Sequence, residues 1–115
     1  MKKKLIEDKT FHTYIRLFWD CSEEEFVRYA NKKNETEYEP NGALGKTILH
    51  ETDDYRNVFI WVNSKKNYET LSHEILHVIR YWLQDFLGIN LTEDTEEIYT
   101  MLHSFYMREC LKALK

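Results

Sequence analysis

The run Leu71-Ser72-His73-Glu74-Ile75-Leu76-His77 holds two histidines four residues apart, with a glutamate directly after the first. Residues four apart on a helix lie about 40° from one another around its axis, so both imidazoles can approach one metal ion from one side. The carboxylate between them is placed to take a proton from metal-bound water and deliver it to a leaving group. With Leu71 set at 0°, the apolar residues 71, 75, 78, 79, 82, 83 and 86 span an arc from about −20° to 120°, whereas His73 and His77 fall near 200° and 240°. The two imidazoles therefore flank the core face of their helix and do not point into it.

A catalytic zinc site takes three protein ligands and leaves a fourth position to water. One extended form of the pattern needs glycine at position 80 and histidine at position 83, where this chain has Arg80 and Leu83. Another takes a glutamate from the next helix, about 20 residues past the second histidine, and that spacing falls on Glu97. With Ile98 at 0°, Met101, Leu102 and Phe105 centre near −20°, which puts Glu97 about 80° from the apolar centre and Glu96 almost opposite it. The expected set is therefore His73, His77 and Glu97 as zinc ligands, with Glu74 as the base. His103 is a further candidate ligand, but the same wheel puts it about 160° from the apolar centre and predicts an exposed side chain. A donor for a developing oxyanion is sought among Tyr81, Tyr99, Tyr106 and His50.

The elements that must position these groups can be read from local pattern. Phe11 to Trp19 reads as a strand with Thr13, Ile15, Leu17 and Trp19 on one face. Asp20 or Ser22 then caps a helix to about Lys33, whose Glu23, Glu24 and Glu25 favour the positive end of its dipole and a solvated face. Asn34 to Gly42 is a loop. Lys46–Glu51 and Tyr55–Val62 form a hairpin about Thr52, Asp53 and Asp54. Glu69 to Leu87 is one helix closed by Gly88, and Asn90 or Thr92 opens the last helix. The expectation is a single α+β domain over residues 1–115, with a small three-stranded, mainly antiparallel sheet and about three helices.

Composition agrees with one small domain: 115 residues, 43% apolar and 15% aromatic, with three glycines and one proline, which excludes a disordered or collagen-like chain. That length predicts one core, not two, with any site at its edge. A net charge of −4 gives no reason to expect a nucleic-acid partner. Lys2, Lys3 and Lys4 read as a solvated terminus, because Glu7, Asp8 and Lys9 break any apolar run of a signal peptide. No stretch approaches the roughly 20 apolar residues that span a bilayer. A soluble cytoplasmic protein follows, with Cys21 and Cys110 as free thiols.

Together these residues resemble the zincin class of metallopeptidases, in its gluzincin-like form, and more closely small phage- and prophage-encoded proteins with an HExxH helix. The likeness rests on His73-Glu74-Ile75-Leu76-His77, Gly88-Ile89 and Glu96-Glu97-Ile98-Tyr99, and extends to Ala43-Leu44-Gly45 and Phe59-Ile60-Trp61-Val62. It implies a minimal zincin-like domain and a zinc-dependent peptidase or related amide hydrolase acting on a peptide or protein in the host cytoplasm. The alternative it leaves is a non-catalytic phage-encoded zinc-binding or assembly and interaction protein with a structural or vestigial site. Two features depart from thermolysin-like chains: Met101 stands where an acid would orient a histidine ligand, and there is no second lobe. An exposed hairpin edge could hold a peptide as an added strand without one.

Overall fold

The computed structural model describes all 115 residues. In chain order it contains β1 (Lys2–Asp8), β2 (Thr13–Trp19), α1 (Glu23–Asn34), β3 (Gly45–Glu51), β4 (Arg56–Val62), α2 (Tyr68–Arg80), a π-helical segment (Tyr81–Phe86) and α3 (Glu96–Ala113). No helix is long and apolar enough to cross a membrane.

The sheet has four strands in the order β1-β2-β4-β3 and is mixed, where three mainly antiparallel strands were expected. β1 pairs antiparallel with β2, and β3 with β4, but β2 and β4 run parallel, with Leu17 opposite Ile60. The chain crosses one face of the sheet through α1 before the hairpin begins, and the hairpin's second strand is the inner one. That ordering makes β4 run alongside β2. Lys2, Lys3 and Lys4, read as a solvated terminus, are exposed but open β1, in which only Ile6 of seven residues is buried. An edge strand needs little more, since pairing with β2 satisfies its backbone, and lysines on an outer strand discourage further pairing.

Strand alternation divides the apolar residues between two faces. Ile15, Leu17, Val58, Ile60 and Val62 meet α2 and α3 in the larger cluster, while Phe18, Ile48, Phe59 and Trp61 meet Phe26, Val27 and Ala30 of α1 in a smaller one. The single core expected from length is thus two layers of side chains separated by the sheet. β4 serves both: all six residues from Asn57 to Val62 are buried.

Ser22 caps α1 through a reciprocal capping box with Glu25. Glu23 departs from the solvated role expected of it. It is 6% exposed and accepts hydrogen bonds from the backbone N–H groups of Asn41, Gly42 and Ala43 at 2.9, 2.9 and 3.2 Å, and Lys46 Nζ lies 3.2 Å away. Burial by itself would raise its pKa, but the Asn41 and Gly42 amides and the Lys46 ammonium outweigh burial and hold the carboxyl below its ordinary value of 4.5. A lowered folded-state pKa adds stability above the unfolded value and loses it as pH falls through the folded one. Glu23→Gln is accordingly expected to lower the urea midpoint clearly at pH 7, with the gap from wild type closing toward pH 3. A gap that does not change with pH would contradict this role.

The helix expected to run unbroken to Leu87 changes character at Tyr81. The Leu87 amide reaches back five residues to the Trp82 carbonyl at 3.0 Å. Tyr81, Trp82 and Leu83 are all buried, and three consecutive residues cannot all lie on one α-helical stripe. The wider turn resolves this. The Tyr81 hydroxyl donates to Glu51 Oε2 on β3 at 2.6 Å, and Trp82 Nε1 donates to the Tyr14 carbonyl on β2 at 3.0 Å. Gly88 follows with φ +71°, the left-handed conformation expected where a helix ends. α3 starts at Glu96, later than Asn90 or Thr92 would place it, with Thr95 at its N-cap position.

Candidate metal centre

His73 and His77 stand one turn apart on the exposed side of α2, as their offset from the apolar arc predicts. Their Nε2 atoms are 3.1 Å apart, with ring centroids at 4.8 Å and planes at 82°. Two nitrogens bound to one tetrahedral zinc at 2.0–2.1 Å would be about 3.3 Å apart, so the pair fits one ion with almost no rearrangement. His73, Glu74 and His77 together offer ligand atoms within 4.8 Å of one another.

Glu74 differs from its neighbours in being buried, at 6% exposure. Its side chain turns toward β3, where the Thr47 hydroxyl lies 3.2 Å from Oε1 and 3.3 Å from the Glu74 carbonyl oxygen. The approach is close because Gly45 sits beside it: a Cβ there would come within 2.3 Å of Thr70 Cγ2, 3.2 Å of Glu74 Cγ and 3.3 Å of the Trp61 carbonyl oxygen. Glu74, His77, Gly45, Thr47 and Tyr81 line an open depression of about 420 Å³ between α2 and β3. Because β3 is an outer strand, one wall of this depression is a free sheet edge. The loop that Glu23 anchors contributes Asn41 and Ala43 to the rim.

Glu97 is not brought to the histidine pair. It is exposed at the start of α3 and lines a different depression with Asp8, Thr10, Thr100 and Arg108. The wheel misplaced it because Met101 is 61% exposed, while the buried stripe of α3 is Tyr99, Leu102, Tyr106 and Cys110. Centred there, the helix turns His103 inward: it is half-buried, not exposed as expected, and its Nε2 lies 3.2 Å from Ser72 Oγ on α2. Glu96, seven residues before His103, is exposed.

Of the hydroxyls considered as oxyanion donors, only Tyr81 lines the depression. Burial, followed by its hydrogen bond to Glu51, raises its pKa far above the ordinary tyrosine value, so it stays protonated. Tyr99 donates to the Ile89 carbonyl and Tyr106 bonds Thr13 within the core. His50 alternates with Leu49 and Glu51 on β3 and faces away from α2. Cys21 and Cys110 are free, and burial pushes the Cys110 thiol up to about 12, which leaves it unreactive.

Thr47 had no role in the sequence reading, and Gly45 entered it only through the resemblance. Gly45 did carry a signal, since an isolated glycine in a strand marks a place where something must come close. Thr47 carried none, because its role depends on which strand lies beside α2. Comparisons with known protein families, with curated proteins and with solved structures give no match.

Proposed function

We propose that the chain is a zinc-dependent peptidase or related amide hydrolase. The observation that carries this reading is a carboxylate, Glu74, buried against an outer strand while the adjacent histidine pair holds its nitrogens 3.1 Å apart at the open side of the same helix. Zinc held by His73 and His77 would supply Lewis acidity to a water molecule and to the scissile carbonyl. Glu74, fixed by the Thr47 hydroxyl, accepts the water proton and returns it to the departing amine. The outer edge of β3 offers backbone groups to an extended peptide lying along the depression. Tyr81 lines the same depression, but its one O–H is committed to Glu51 Oε2 and would have to leave that carboxylate to serve an oxyanion.

The first test is metal content. Protein purified without a histidine tag is expected to carry about one zinc per chain, lost in His73→Ala and in His77→Ala, because the one imidazole left in either variant does not hold the ion. Full zinc content in both histidine variants would overturn the metal site. Peptide-library cleavage then separates a hydrolase from a protein that uses the metal only for folding.

A further inference from the structure

The smaller face of the sheet is only half covered. α1 packs on β3 and β4, and its apolar side meets Phe18, Ile48, Phe59 and Trp61. The pairing of Leu5 with Arg16 and of Glu7 with Tyr14 sets these residues on the same face, beyond the helix. Leu5 there is 45% exposed. Lys33 of α1 and Tyr55 of the hairpin border the resulting depression of about 620 Å³.

This face departs from the charge of the chain as a whole, which is −4. Lys3, Arg16 and Lys33 have no carboxylate within 4.0 Å, unlike Arg56 nearby, which pairs with Glu51 at 3.5 Å. Two of these cations lie on tyrosine rings instead. Lys3 Nζ is 4.8 Å from the Tyr29 ring centre and donates to its hydroxyl at 3.1 Å, and the Arg16 guanidinium is 5.0 Å from the Tyr14 ring centre. Glu7 is the one carboxylate lining the depression; Asp53 and Asp54 do not line it. Tyr55, at 39% exposure, presents an aromatic surface at the rim.

Cations without acidic partners, set among tyrosines on an open sheet, suit a ligand with regularly spaced negative charge and flat rings. We propose that this face binds single-stranded nucleic acid, with Lys3, Arg16 and Lys33 on its phosphates and Tyr55 stacked on a base. Strands of seven residues extend about 23 Å, enough for three or four nucleotides. The proposal is independent of the hydrolytic reading, since no residue lines both this depression and the one beside Glu74.

The test is fluorescence anisotropy of a labelled 12-nucleotide oligothymidylate titrated with the full chain. Three phosphate contacts give a salt slope of about −2 for a single strand, so affinity should fall about 20-fold between 50 and 200 mM salt. Lys3→Glu combined with Lys33→Glu changes two exposed positions and is expected to weaken binding at least about 10-fold at 50 mM salt. Lys65→Glu combined with Lys66→Glu makes the same charge change in the turn before α2 and should leave affinity within about twofold. Tyr55→Ala should cost about fivefold or more through lost stacking. Absence of binding at 200 μM protein, about the weak limit for such contacts, would overturn the proposal. So would tighter binding of a duplex of equal length, equal binding of polyglutamate of matched charge, or an equal loss in the Lys65/Lys66 variant.

Discussion

Glu74→Gln is expected to reduce peptide hydrolysis by two to four orders of magnitude, the usual worth of a positioned general base, while zinc stays at about one per chain. Glutamine has the same shape and keeps an oxygen to accept from Thr47, which bonds Oε1 at 3.2 Å in wild type. What it lacks is the carboxylate that would accept the water's proton. The group is 6% exposed, so a neutral amide also relieves the cost of burying a charge, and the melting temperature should hold or rise slightly. Lost activity with unchanged zinc and unchanged melting is therefore a signature that misfolding cannot imitate. Initial rates on a quenched peptide library, measured beside metal content, decide it. Equal rates for variant and wild type would remove Glu74 from the chemistry.

The second large effect belongs to a residue with no side chain. Gly45→Ala places a methyl group 2.3 Å from Thr70 Cγ2, well inside contact distance, with Glu74 Cγ and the Trp61 carbonyl oxygen at 3.2 and 3.3 Å on its other sides. Thr70 is β-branched and in the first turn of α2, where its rotamer has little freedom. Either β3 moves out or the turn shifts, at the roughly 1–3 kcal/mol typical of overpacking. The Thr47 hydroxyl would then lose its reach to Glu74, so hydrolysis should fall along with stability. Thr70→Ser removes the obstructing methyl. In a double-mutant cycle, Gly45→Ala should be milder in the Thr70→Ser background, with a coupling of about 1 kcal/mol or more in urea denaturation. Additive effects would show that Gly45 is not needed for close approach.

Both expectations join a residue legible in the sequence to one that was not. His73, Glu74 and His77 could be read because their relation is local: one helical period fixes which residues share a side, and the apolar arc fixes which way that side points. The cap at Asp20 or Ser22, the hairpin and the strand read from Phe11 to Trp19 were readable for the same reason, though the structure starts that strand at Thr13 and caps the helix with Ser22. Glu97 failed where the argument became longer in range. Its orientation was inferred from Met101, Leu102 and Phe105 as core residues, yet Met101 is exposed, and Tyr99 and Tyr106 join Leu102 in the core. An amphipathic tyrosine or methionine can lie on either side of a helix boundary, so a short wheel built on them can be rotated by a full face.

Local spacing along the chain therefore determined the histidine pair, the glutamate between them and their place beside the core face. Tertiary structure alone decided what surrounds them: β4 entering parallel to β2 leaves β3 as an outer strand, and that strand brings Thr47 and Gly45 against Glu74. It also gave β1 its place and split the core into two layers. The physical reason is that a helix's faces follow from its own period, whereas a strand's neighbours depend on how distant segments pair.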